Sequence, residues 1–184
     1  GLTVPLVLDS MFVTADFLPA YLMFGIVGYR SATLRKVTEA RLKNAGTLMP
    51  NLSALREEPL AAKRAIIALR IRNYSAVCAS FATSVEDDLV TELARRLTLP
   101  GEAPTFYQAE DVVYWLAPQL SMHELEEHLT GLAKLIEIQF VIQGRKVDIH
   151  AAFGVDMELS RSISTRLGRA LLAADNAAVK HQLV

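Results

Sequence analysis

A chain of 184 residues suits one domain plus an attached segment, and its net charge of −1 gives no electrostatic case for nucleic acid as a partner, because phosphate recognition wants a clustered basic surface. The single cysteine, Cys78, excludes an internal disulfide and a cysteine-based metal cage, and the chain is long enough to hold a core without such staples. Hydrophobic residues make up 52% of the sequence, with the excess mostly at the N-terminus.

Residues 10–29 (SMFVTADFLPAYLMFGIVGY) carry one charge, Asp16. As a helix they would cover about 30 Å, the hydrocarbon thickness of a bilayer. Arg30, Arg35 and Lys36 follow at once with no basic residue before them, which puts the chain after Arg30 on the cytoplasmic side. No basic region precedes the stretch and no small-residue cleavage site follows it, so it is not a secretory signal peptide. Asp16 and Pro19 keep a second reading open, a buried or oligomer-forming helix. Residues 31–43 (SATLRKVTEARLK) place Leu34, Val37, Ala40 and Arg41 at helical spacing among charges, which predicts a helix leading away from the membrane. About two heptads are too few to specify a coiled coil. The expected organisation is a transmembrane region over 1–30, a signalling or linker helix over 31–43, and a domain over 44–184.

Within that domain, Pro50-Asn51 opens a short helix over 52–58, which Pro59 ends. Residues 64–71 (RAIIALRI) are a continuous apolar run bounded by charges, as in a strand covered on both faces. Ser84 is expected to begin a helix with Asp87 and Asp88 in its early turns, where the dipole favours acids. Leu89, Leu93, Ala94 and Leu97 make its buried face, and Pro100-Gly101 stops it. Residues 105–108 and 112–116 form a hairpin around Ala109-Glu110-Asp111. Ser121 caps a long helix to about residue 138. Residues 140–143 and 146–153 read as a second strand pair around Gly144-Arg145, and Ser160 or Ser162 starts the last helices. This order predicts an α+β fold, a mostly antiparallel sheet flanked by helices.

Five stretches, in order and nearly without gaps, are similar to the landmarks of one family. Residues 44–55 (NAGTLMPNLSAL) resemble D-x-LTGLPNR, and residues 68–88 resemble a strand and helix that serve metal and nucleotide. Residues 107–116 (YQAEDVVYWL) resemble R-x-GGDEF-x-x-x-L, residues 151–156 (AAFGVD) resemble S-x-GVA, and residues 171–180 (LLAADNAAVK) resemble LL-x-x-AD-x-AL. The family is that of GGDEF domains, the diguanylate cyclases of bacterial cyclic-di-GMP signalling. The resemblance runs from residue 44 to residue 182 and implies the palm-like fold that nucleotidyl cyclases share.

The same resemblance implies a degenerate catalytic site. Diguanylate cyclases join two GTP molecules, one from each half of a dimer, using two divalent ions held by carboxylates. The strand motif LDIDNF reads Leu69-Arg70-Ile71-Arg72-Asn73-Tyr74 here, so both acids are arginines, and a guanidinium cannot ligate Mg²⁺. Aligning GGDEF on residues 109–113 keeps an acid at Asp111 but puts Val112 at the glutamate and Ala109 and Glu110 at the glycines. Ser75 replaces a lysine and Cys78 the asparagine that reads guanine, leaving Asp87 as the survivor of the base-reading pair. The phosphate-binding lysine of the last helix falls on Gln182, and the inhibitory R-x-x-D falls on Pro100 and Ala103.

Other features carry plainer readings. His123 and His128 are five apart, about 140° around a helix, so they do not form a zinc-protease pair and belong to an acidic solvated face. Glu86-Asp87-Asp88 reads as a charged helix start, Tyr114 and Trp115 as core or half-core, and Cys78 as a small apolar residue. Arg70 and Arg72 are expected to share a strand face and to pair with Asp111, Glu110 or Asp87; a new anion site there is the other reading. The function expected is a non-catalytic GGDEF-like regulatory domain at the bacterial inner membrane, with no cofactor. Its expected partners are a second copy through the N-terminal helix and an EAL or GGDEF output domain. A GTP- or anion-binding sensor without turnover and a dimerising scaffold for an active enzyme are the alternatives.

Overall fold

A computed structural model describes residues 42–180, with side-chain surroundings to residue 177. The readings of residues 1–41 and of Gln182 lie outside the described residues. Among the described residues no helix is long and apolar enough to cross a membrane. Lys43, expected at the end of the linker helix, instead forms an antiparallel bridge with Pro50, and Asn51 N donates to Leu42 O at 2.7 Å.

Helix α1 (Leu52–Glu57) starts at Asn51, whose side chain accepts from Ser53 N at 2.9 Å and Ala54 N at 3.3 Å, meeting two of the orphan amides of a helix start. A 3₁₀ turn, Pro59–Ala62, leads into strand β1 (Ile66–Ile71), which is buried on both faces except at Arg70. Two helices follow, α2 (Tyr74–Ala79) and α3 (Glu86–Leu97). Helix α2 is not among the expected elements, and α3 starts later than the expected start at Ser84. Val85 occupies the cap position with no side-chain cap, and the Ser84 hydroxyl turns to the Glu86 carboxylate instead. Helix α3 also ends at Leu97, short of Pro100-Gly101.

Strands β2 (Tyr107–Ala109) and β3 (Val112–Leu116) form the hairpin, and α4 (Met122–Glu137) begins with a capping box between Ser121 and Glu124. Strands β4 (Phe140–Ile142) and β5 (Arg145–Val147) make a separate small hairpin. Its turn is Gln143-Gly144, with φ of 47° and 78°, one residue earlier than the sequence suggested. The expected strand over 146–153 is two strands. β5 ends at Val147, and β6 (Ala151–Asp156) joins the main sheet. The break is held by Asn73, whose side-chain amide donates to Asp148 O at 2.8 Å and accepts from His150 N at 2.9 Å. A single helix, α5 (Ile163–Lys180), ends the domain, with the Ser162 hydroxyl accepting from Thr165 N at 3.3 Å.

The sheet runs β2-β3-β1-β6 and is antiparallel at every pairing. Alternation along the strands divides the core. Ile67, Leu69, Ile71 and Trp115 pack with Leu89, Leu93 and Leu132 on the side of α3 and α4. Ile66, Ala68, Val112 and Tyr114 pack with Leu55, Leu167 and Ala170 on the side of α1 and α5. Trp115 meets Phe106 and Phe153 edge-on, with ring centroids 5.6 Å and 6.1 Å away. Helix α5 lies unusually close to β6, since a Cβ on Gly154 would fall 2.0 Å from Ala170 O.

That closeness lets the last helix bury a charge. Arg166 is fully buried, and it donates to Asp156 at 3.2 Å, to Ala61 O at 2.6 Å and to Arg64 O at 2.5 Å. Arg169 donates to the other Asp156 oxygen at 2.7 Å. Nothing in the sequence reading assigns this pair.

Candidate functional site

The end of β1, the β2–β3 turn and the C-terminal half of α5 meet around one guanidinium. Arg70 sits on the α5 face of β1, opposite Val112 across the β1–β3 ladder. Its Nε donates to Asp111 Oδ2 at 3.3 Å, and its Nη1 donates to Asp175 at 2.7 and 2.9 Å. The Asp175 hydrogen bond holds the arginine in its charged form more firmly than usual, against partial burial, and Asp111 adds to it. The pairing of Arg70 with Asp111 is as the sequence predicted. Asp175 is the partner the sequence reading missed. It is the sole acid of α5 and falls inside the LLAAD stretch, which was the available signal.

The hairpin delivers Asp111 through an unusual backbone. Glu110 closes the turn at φ 52°, a left-handed conformation that L-residues other than glycine adopt rarely. Leu48 does the same at φ 56°. Both are positions where the patterns GGDEF and LTGLPN, aligned on this chain, carry glycine; the third such position, Ala109, keeps an ordinary φ. Ile71 N then donates to Asp111 O at 2.9 Å, which fixes the turn against β1. Val112 is buried in the apolar layer under α5, and Glu110 is exposed.

The other predicted positions scatter around this centre. Asp87 does not reach Arg70. It is exposed and lies against the backbone of Gly46, where a Cβ would meet its carboxylate at 1.8 Å. The expected pairing fails because Asp87 sits on the first turn of α3, on the opposite side of the sheet from α5. Ser75 is exposed on α2, and Cys78 is half-buried there beside Tyr74. Burial pushes the Cys78 thiol up, and Glu86 pushes it further, so the sulfur stays protonated. Burial also pushes the Tyr74 hydroxyl up to about 12, with Cys78, once ionised at alkaline pH, and the carboxylates of Glu86, Asp87 and Asp111 adding negative charge. Ala109 ends β2, half-buried; Pro100 and Ala103 are exposed between α3 and β2.

Arg72 corrects the expectation of a shared role for the two arginines. It lies one residue beyond β1, is exposed, and forms no ion pair among the described residues. Its backbone carries the β1–β6 register one residue past the strand end, donating to His150 O at 2.7 Å, and the residue borders a depression that Arg70 does not line. His123 and Glu127 form an exposed contact of 3.4 Å on α4, in keeping with a solvated face.

Two polar residues outside the predicted set hold the frame. Gln108 is buried, and its side chain accepts from Thr47 Oγ1 at 2.6 Å, while its backbone donates to Pro50 O at 2.9 Å. Loop 44–50 is thereby tied to the hairpin that carries Asp111. Arg96 lies on the Phe140 ring, 3.8 Å from its centroid, and donates to Gln139 O at 2.6 Å beyond the end of α4.

Compared by sequence, the chain matches no family model and no curated protein. Compared by fold, it is similar to solved GGDEF domains. A diguanylate cyclase/phosphodiesterase from Caldicellulosiruptor saccharolyticus is 15% identical with a TM-score of 0.64, over 78% of this chain and 91% of that one. The FimX GGDEF domain from Pseudomonas aeruginosa is 20% identical with a TM-score of 0.59, over 76% of this chain and 94% of that one. The S helix-GGDEF-EAL structure of LapD from Vibrio cholerae, bound to c-di-GMP, is 12% identical with a TM-score of 0.65, over 85% of this chain and 38% of that one. At these identities the likeness establishes the fold: an α+β, cyclase-like GGDEF fold with a mostly antiparallel sheet flanked by helices.

Proposed function

We propose that this chain is a GGDEF-type domain of cyclic-di-GMP signalling that regulates without joining GTP. The observation that carries the reading is the Arg70 clasp: a guanidinium stands at the family's metal-ligand position and binds the surviving hairpin acid, Asp111, together with Asp175. Cyclisation would draw the 3′-hydroxyl of one nucleotide onto the α-phosphate of another between two divalent ions, which need carboxylate oxygens. The residues here do not fit such ions. Arg70 repels a cation, Val112 offers a buried isopropyl group, and Asp111 already serves Arg70. At the base-reading positions a protonated thiol packs against Tyr74, and Asp87 packs against Gly46.

In this reading, residues 10–29 anchor the chain in the inner membrane and residues after Arg30 are cytoplasmic. The domain relays a signal from the membrane side to an output domain or a partner. LapD, of similar fold, carries its GGDEF domain beside an EAL domain, which supports an output of that kind. A second copy pairs with the first through the segment before residue 42.

The test is direct. The 184-residue chain, reconstituted in lipid nanodiscs, should make no cyclic-di-GMP from GTP with Mg²⁺ or Mn²⁺ above a protein-free control. Metal-dependent product would overturn the reading. Reporter fusions after Lys43 should report a cytoplasmic location, and release of the chain by carbonate would refute the anchor.

A further inference from the structure

We infer that the depression beside Arg72 binds a small molecule with an apolar body and a single anionic group. The inference goes beyond the regulatory reading and does not depend on it, since among the described residues no position aligned with the cyclase's ligands other than Arg72 borders this depression. It holds about 510 Å³, within the usual range for small-molecule sites. Leu129 and Ile136 of α4, Phe153 of β6 and Ile149 form apolar walls, and Arg72 and His150 stand at the border.

Two observations favour an anion over a neutral occupant. First, the two arginines of the β1 end differ in state. Arg70 is engaged by two carboxylates, whereas Arg72 forms no ion pair among the described residues. An unengaged guanidinium beside an apolar wall is a ready donor to a carboxylate, in the planar geometry that arginine suits. Second, the backbone that presents it is already ordered. Arg72 N donates to His150 O at 2.7 Å, and the Asn73 side chain clamps both Asp148 and His150. Little ordering beyond the Arg72 side chain remains for a ligand to impose.

The same border limits the charge. Glu137 also lines the depression, at the last residue of α4, where the helix dipole is negative. A second or third negative group would meet that carboxylate, so the site suits an aromatic or branched monocarboxylate rather than a nucleoside triphosphate.

The test uses 6-fluoro-2-naphthoate as the probe, followed by ¹⁹F NMR on the 184-residue chain in nanodiscs, with empty nanodiscs subtracted. Saturable binding of one probe per chain is expected. Arg72→Gln should weaken it by about tenfold or more, as loss of a charge-assisted contact does. Arg70→Gln should leave it unchanged, and Ala133→Phe, which fills the depression, should abolish it. Arg72 is exposed, so its variant keeps the test valid if Ala133→Phe fails to fold. Unchanged affinity in Arg72→Gln would overturn the inference. So would equal binding of neutral 2-fluoronaphthalene, or tighter binding of 2-naphthylmethylammonium, which would make Glu137 the selecting group.

Discussion

Two arginine clusters hold α5 to the sheet, and they do so in opposite environments. Arg166 and Asp156 are almost wholly buried, 0% and 2% exposed at the side chain, and the arginine also satisfies two backbone carbonyls. Arg70 and its partners Asp111 and Asp175 are 38%, 28% and 39% exposed. Water screens the second cluster, so its net contribution is small, whereas removing one member of the first strands a charge in the core. Position in the fold, more than residue type, therefore sets what each arginine is worth. The buried cluster is structural, and the open one joins the end of β1, the hairpin turn and α5 at the surface.

The sharpest test of that contrast is Arg166→Ala. It leaves Ala61 O and Arg64 O without the Arg166 donor and takes one of three donors from Asp156, which keeps Arg169 and Glu158 N; it should cost about 2–4 kcal/mol, read as a fall in the denaturation midpoint at unchanged slope. A loss below about 1 kcal/mol would erase the distinction between the clusters.

Gly154→Ala should come next. The new methyl would press on the backbone of Ala170 and Ala174, so α5 must move off β6, at about 1–3 kcal/mol. Because Arg166 rides on the same helix, the variant should also loosen the buried pair, and hydrogen exchange along α5 would detect it.

In the open cluster, Asp175→Asn should cost no more than about 1 kcal/mol. Arg70→Asp should leave the protein folded and still without cyclase activity, because Ala109, Glu110, Val112, Ser75 and Cys78 remain and such sites act as units. Measurable turnover by this single variant would show an intact site behind the clasp.

Alkaline titration gives a finer comparison. Tyr74 has its hydroxyl raised from 10.0 to about 12, so the folded state holds that proton more tightly than the unfolded chain. Its contribution is therefore fully present below pH 10.0 and is lost as pH rises toward about 12. Absorbance of the phenolate should show this late step, and Tyr74→Phe should remove it. The smallest effect belongs to the left-handed residues. Glu110→Gly and Leu48→Gly should be neutral to about 1 kcal/mol stabilising, since relief of the left-handed backbone offsets the entropy of glycine. A clear destabilisation would show that these side chains serve a contact.

The sequence by itself determined the parts whose signals are local. The apolar run of β1, the Ser121 cap, the helix start at Asn51 and the alternation around the hairpin are short-range patterns that physical chemistry reads directly. Arg70 and Asp111 were legible as a pair because a strand and its neighbouring turn constrain one another closely. Tertiary structure decided the rest. Asp175 is 105 positions from Arg70, and Arg166 is 105 from Ala61, separations that no periodicity encodes. Asn73 splits one expected strand into β5 and β6 through contacts 75 and 77 residues away, overriding a local strand preference. Asp87 and Arg72 were assigned by spacing to a cleft they do not share. The packing of α3 on one face decides where Asp87 sits, and the end of β1 at Ile71 puts Arg72 beyond the acids that engage Arg70; both depend on the whole domain being folded.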